Sequence, residues 1–142
     1  MSHYTSLVLS LEPNPVWYPT NSEEVFTCID RDYDYVDELE NKEEKIEEFI
    51  AYAQEHFAKR IDSRTIELDV FAYQKWLNLD LRTPAQVIHE FFHSYMNYGD
   101  YPVVSNIGTS YKSYLAFLFD TFATCKADRV KIYILGAYDV HA

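Results

Sequence analysis

Residues 45–71 read "KIEEFIAYAQEHFAKRIDSRTIELDVF", and the period of the apolar residues changes inside this stretch. Ile46, Phe49, Ile50, Ala53, Phe57 and Ile61 recur three and four apart, the spacing of one helix face. From Thr65 onward Ile66, Leu68 and Val70 alternate with Thr65, Glu67 and Asp69, the spacing of a half-buried strand. The pattern predicts a helix over about 37–61 followed by a strand over 64–71.

On either side the same rules extend the scheme. "YTSLVLSL" predicts a strand over 4–11, closed by Pro13 and Pro15. Thr20 to Ser22 followed by Glu23 and Glu24 marks the start of a short helix, because side-chain acceptors and carboxylates suit unpaired helix N–H groups. "YQKWLNL" fits another short helix, and Thr83, Pro84 and Gln86 open a helix over 84–98 that Gly99 stops. A further helix is expected over about 110–127 and a final strand over 129–138. The expected fold class is therefore α+β: one domain spanning 1–142, with about three strands packed by helices.

The chain has 142 residues, 48% hydrophobic and 17% aromatic, with only three glycines. That is enough apolar surface for one core without disulfides or a structural metal. Cys28 and Cys125 have no C-x-x-C partner and read as reduced thiols. The first residues lack a basic n-region and a small-residue cleavage site, and no apolar run approaches a membrane span. A cytoplasmic location is expected.

The net charge of −11 is concentrated. Residues 23–48 hold twelve Asp and Glu against Arg31, Lys42 and Lys45, a net −9, which leaves −2 on the other 116 residues. Such a patch repels nucleic acid and anionic membrane and attracts cationic surfaces. Asp30, Asp32 and Asp34 alternate as in the first half of a calcium loop, but Tyr35 replaces the turn glycine and Asn41 the bidentate glutamate. On the predicted helix Glu40, Glu43, Glu44, Glu47 and Glu48 form a row, which Asp32, Asp34 and Asp37 extend. Carboxylates four apart on a helix are about 6 Å apart, comparable to successive phosphates of a nucleic-acid strand. The like-charge pairs in this row are unfavourable within the isolated helix, as expected of a surface built for a cationic partner. Tyr33, Tyr35 and Tyr52 add amphipathic contact groups of the kind enriched at interfaces.

"TPAQVIHEFFHSYMNYG", residues 83–99, contains His89, Glu90 and His93 as H-E-x-x-H. On a helix, Val87, Ile88, Phe91, Phe92, Tyr95 and Tyr98 form an apolar arc opposite Gln86, His89, Glu90, His93 and Asn97. Two histidines one turn apart can reach one zinc ion while the glutamate polarises its water. The five residues resemble the zincin metallopeptidases, a family that adds a third ligand downstream. No glutamate follows Glu90 and the extended histidine form is absent, so Asp120, in "YLAFLFDTFATC", is the remaining third ligand.

The leading expectation is a non-enzymatic interaction or inhibitor protein without a cofactor, whose carboxylate patch occupies the basic, nucleic-acid-binding site of a partner enzyme or complex. In composition it is similar to acidic anti-defence proteins of phages and mobile elements, of the anti-CRISPR or anti-restriction kind, and to the immunity proteins of nuclease toxins. The alternative is a minimal zinc metallohydrolase with His89 and His93 as ligands, Glu90 as general base and Asp120 as third ligand. On the leading reading, His89→Ala and His93→Ala leave fold and activity almost intact. Thermal melts with and without chelator check this, and joint loss of zinc and activity in either variant refutes it.

Overall fold

Val130–His141 forms β7, the longest strand, and the sheet is organised on it. The computed structural model describes residues 3–29, 33–77, 100–124 and 129–141. One edge of β7 pairs antiparallel with β1 (His3–Ser10), from His3 opposite His141 to Ser10 opposite Tyr133. The other edge is shared. β4 (Thr65–Leu68) takes Val130 to Tyr133, and β2 (Tyr35–Glu38) takes Tyr138 to His141. β3 (Ala58–Arg60) extends the sheet beyond β4. Beyond β1 lie β5 (Val103–Ser105), parallel to it, and β6 (Ser110–Tyr111), antiparallel to β5.

Four helices accompany these strands among the described residues: α1 (Ser22–Cys28), α2 (Lys42–Gln54), α3 (Val70–Leu77) and α4 (Tyr114–Thr124). Ile46, Phe49, Ile50 and Ala53 of α2, with Tyr114, Phe117 and Leu118 of α4, cover one sheet face through Leu7, Leu9, Ile66, Ile132 and Ile134. On the opposite face Val25 of α1 and Tyr33 pack with Val8, Val36, Val104, Tyr138 and Val140. No helix among the described residues is long and apolar enough to cross a membrane.

The expectation of about three strands packed by helices is corrected: the fold is a mixed seven-stranded sheet. The predicted strands at 4–11, 64–71 and 129–138 correspond to β1, β4 and β7, and four further strands of two to four residues join them. The predicted helix 37–61 is shorter at both ends. Its first residues belong to β2, and the chain leaves α2 at Glu55, with Phe57 at a φ of 71° that no helix contains. The strand predicted to 71 stops at Leu68, because the Asp69 carboxylate accepts the Ala72 N–H at 3.0 Å and starts α3.

The helix predicted over 110–127 begins only at Tyr114, after Ser110 and Tyr111 have joined the sheet. Its first turn is satisfied by the Ser113 hydroxyl, which accepts the Ala116 N–H at 3.1 Å. The predicted helix 84–98 lies outside the described residues. At the other end of the chain, the expected short helix is present as α1, where the Asn21 side-chain oxygen Oδ1 accepts the Glu24 N–H at 2.9 Å.

Phe49 is fully buried and meets Tyr101 and Tyr114 edge to face, with ring centroids 5.2 Å from each. Phe49→Ala should lower stability by about 3–5 kcal/mol, the usual range for a buried aromatic truncated to alanine. Chemical denaturation of the variant measures this, and an unchanged midpoint would contradict the assigned core.

Candidate functional site

The acidic segment 23–48 is not one helical surface. It runs through α1, β2 and the first half of α2, and much of its charge is used within the fold. Glu24 closes the N-terminus of α1: its carboxylate accepts hydrogen bonds from the Asn21 amide at 3.0 Å and the Thr20 hydroxyl at 3.3 Å. The Glu38 carboxylate accepts the Ser22 N–H at 2.9 Å and so ties β2 to the start of α1.

On α2 the predicted row is interrupted by two arginines. The Arg60 guanidinium donates twice to Glu47, at 2.6 and 2.5 Å, in the fork geometry that favours carboxylates. Arg64, from the turn between β3 and β4, pairs with Glu43. Lys45 pairs with Glu48 at 3.3 Å, one turn along the same helix. Glu40 and Glu44 remain exposed and make no ion pair among the described residues.

The tyrosines separate in the same way. Tyr33 is buried and meets Tyr4 edge to face, so it is a core residue and not a surface contact. Tyr52 is half-buried between His56 and Tyr101; burial, with Asp100 and Tyr101 nearby, pushes its phenol up to about 12. Tyr35 is 40% exposed and stacks on the His141 ring at 3.9 Å. Asp34 and Asp37, beside it, are exposed. Asp32 lies outside the described residues.

Between α1 and β2 lies a cleft of about 310 Å³, lined by Ser22, Glu23, Phe26, Thr27, Tyr35 and Val36. Phe26 is 45% exposed although the preceding Val25 is fully buried. Neighbouring helix residues point about 100° apart, so burying Val25 turns Phe26 outward into the cleft. The cleft thus combines two aromatic rings with the carboxylate of Glu23. It offers apolar contact and negative charge to a ligand.

His89, Glu90 and His93 lie outside the described residues. Asp120, proposed as their third ligand, sits on α4, where its carboxylate accepts the Tyr111 hydroxyl at 2.6 Å. Comparisons with protein-family models, with curated proteins and with solved structures return no match to this chain.

Hydrogen bonding from Arg60, aided by its charge, holds the Glu47 carboxyl below the ordinary glutamate value and raises the Arg60 guanidinium in turn. A carboxyl depressed by folding adds stability above its unfolded value and loses that contribution as pH falls through its folded one. In an NMR carboxyl titration Glu47 should therefore protonate below the ordinary glutamate value, and Arg60→Ala should return it there. An unshifted Glu47 in the unaltered protein would show that the pair does not form in solution.

Proposed function

We propose that this protein acts by binding another protein, as an interaction or inhibitor protein that occupies a basic nucleic-acid-binding site. The observation that carries the reading is the α1–β2 cleft, where exposed Phe26 and Tyr35 stand with the Glu23 carboxylate, and where the exposed Asp34 and Asp37 flank its two β2 residues in sequence. Sites for single-stranded nucleic acid pair a cationic track for the backbone with aromatic platforms for the bases. Carboxylates match the first element and the two rings match the second. The mimicry thus lies in charge combined with stacking surface, and a continuous ladder of glutamates is not required.

Glu40 and Glu44 extend the negative face along α2, whereas Glu43, Glu47 and Glu48 contribute less because cations of the protein's own already neutralise them. A row of exposed charge speeds encounter with a cationic partner, and a few desolvated aromatic anchors supply most of the binding free energy. The proposed division of labour follows: the carboxylates steer and Phe26 and Tyr35 hold. The composition, similar to that of anti-defence and immunity proteins, is consistent with a partner of the nuclease or nucleic-acid-bound effector class.

On a partner captured from lysate, Phe26→Ala should weaken binding roughly 30-fold, the effect of losing an anchor worth about 2 kcal/mol. Because Phe26 is exposed, its melting temperature should stay close to that of the parent. Glu40→Lys with Glu44→Lys should slow association and flatten the salt dependence, since screening acts over about 10 Å at 0.1 M salt. Single-stranded nucleic acid should displace the protein from its partner. Binding that withstands high salt, resists nucleic-acid competition and is indifferent to Phe26→Ala would refute the proposal.

A further inference from the structure

At the end of the sheet formed by His3, Tyr35 and His141, two histidines and two aspartates converge from three neighbouring strands. In the pairing register His3 stands opposite His141 across β1 and β7, and Asp37 stands opposite Asp139 across β2 and β7. Because strand side chains alternate, Asp139 and His141 share a face. One coordinating atom each from His3, Asp139 and His141 lies within 4.8 Å of the other two.

His141 is only 5% exposed, yet among the described residues neither ring nitrogen makes a hydrogen bond. Its Nε2 lies 3.0 Å from Asp139 Oδ2 and 3.4 Å from Asp37 Oδ2, at contact distance but outside hydrogen-bond alignment. His3 Nδ1 lies 3.3 Å from the same Asp139 oxygen. A buried imidazole with no hydrogen-bond partner is costly unless something else occupies its lone pair.

These separations have a specific meaning for metal chemistry. A tetrahedron with metal–ligand bonds of about 2.0–2.1 Å has edges of roughly 3.3–3.4 Å. The His141–Asp139 and His3–Asp139 separations of 3.0 and 3.3 Å are close to such edges. Asp37 Oδ2 approaches His141 and stands outside the group of mutually close donors. With both imidazoles neutral the three side chains carry a charge of −1, and Asp37 beside them adds a second negative charge to face one divalent cation. Imidazole mixed with carboxylate suits zinc, whereas calcium and magnesium take oxygen ligands throughout.

The geometry points to a zinc site at this strand end, with His3 Nδ1, His141 Nε2 and Asp139 as its three protein ligands, a donor set of the kind zinc completes with water. Its residues are separate from the H-E-x-x-H stretch, and it does not depend on partner binding. Bound zinc joins β1 to β7. β2, attached to β7 through only four residues, is steadied indirectly, through Asp37 beside His141. Tyr35, stacked on His141, is fixed with it.

The test uses full-length protein made without a histidine tag and carrying His89→Ala and His93→Ala, so that the other zinc candidate is silent. After chelator treatment it should bind one zinc per chain in a calorimetric titration. Zinc at 100-fold above Kd should raise the melting temperature by roughly 5–10 °C. Cobalt in place of zinc should give the visible absorption of a tetrahedral site. His3→Ala, at an exposed position, and the isosteric Asp139→Asn should each weaken zinc binding at least tenfold and abolish the cobalt spectrum. If the double histidine variant fails to fold, the same comparison is made on the unaltered chain, where His3→Ala should remove one equivalent of bound zinc. Failure of the folded parent to take up zinc, or undiminished uptake after His3→Ala, overturns the site.

Discussion

β7 offers two edges along its twelve residues, and the rest of the fold follows from how they are shared among partner strands. β1 satisfies one edge; β4 and β2 divide the other. The pairing with β1 is not regular, because Val8 faces Gly136 and Leu9 faces Ile134, which leaves Leu135 as an extra residue on β7. A bulge of this kind reverses the alternation of side chains beyond it. Val130, Ile132 and Ile134 therefore share their core with Ala137, while Tyr138 and Val140 turn to the α1 face. Without the bulge Tyr138 and Val140 would continue the helix-covered face, and Asp139 and His141 would point to the other. The single inserted residue thus decides where polar groups gather at the strand end. Gly136 sits at that point, where an added Cβ would lie 3.2 Å from the Tyr138 ring.

The acidic segment shows how a charge pattern can be divided between folding and surface. Arg60 and Arg64 come from the β3–β4 hairpin, and they reach Glu47 and Glu43 because β3 follows α2 after only three residues and turns back beside it. Glu24 and Glu38 fix the position of α1 against β2. These four carboxylates hold the walls of the cleft and the helix beside it. Glu23, Asp34, Glu40 and Glu44 are left to face solvent or a partner. Surface negative charge in this protein therefore accompanies a framework of neutralised pairs, which keeps the patch from destabilising the elements that display it.

Much of the core was legible in the sequence, because β1, β4, β7 and α2 each carry several apolar residues at one period. Leu7 and Leu9, Ile66 and Leu68, and Ile46, Phe49, Ile50 and Ala53 are all buried as their spacing requires. The short strands were not legible, since two to four residues cannot display a period and their placement rests on partners far away in sequence. Phe57 and Ile61 continued the helical spacing by coincidence, and only the backbone at Phe57 reveals the break. Within the site, the exposure of Phe26 was not legible, since adjacent Phe49 and Ile50 are both buried whereas only Val25 of the Val25–Phe26 pair is, and the pairing of Glu43 and Glu47 with arginines depended on recognising the β3–β4 hairpin. The meeting of His3 with His141 was hidden for a different reason: it depends on strand pairing across nearly the whole chain and on a bulge that no local pattern announces.

Tyr35 links the two polar features of this strand end. One side of its ring stacks on His141, and the residue also lines the cleft with Phe26. An aromatic anchor contributes most to binding when its rotamer is fixed beforehand, because the entropy of ordering it has already been spent. The stacked imidazole performs that fixing for Tyr35, and β2 carries the constraint to Val36 at the cleft floor. Phe26 has a different support, the helix α1, whose N-terminus is fastened to β2 by the bond from Ser22 to Glu38. Both walls of the cleft are consequently referred to the same four-residue strand. Any influence that secures β2 against β7 makes the cleft more rigid, and any influence that loosens it changes the spacing of the two rings. The strand end and the cleft are in this sense one mechanical unit, joined through Tyr35 as well as through the core that Val25, Val36 and Val140 share.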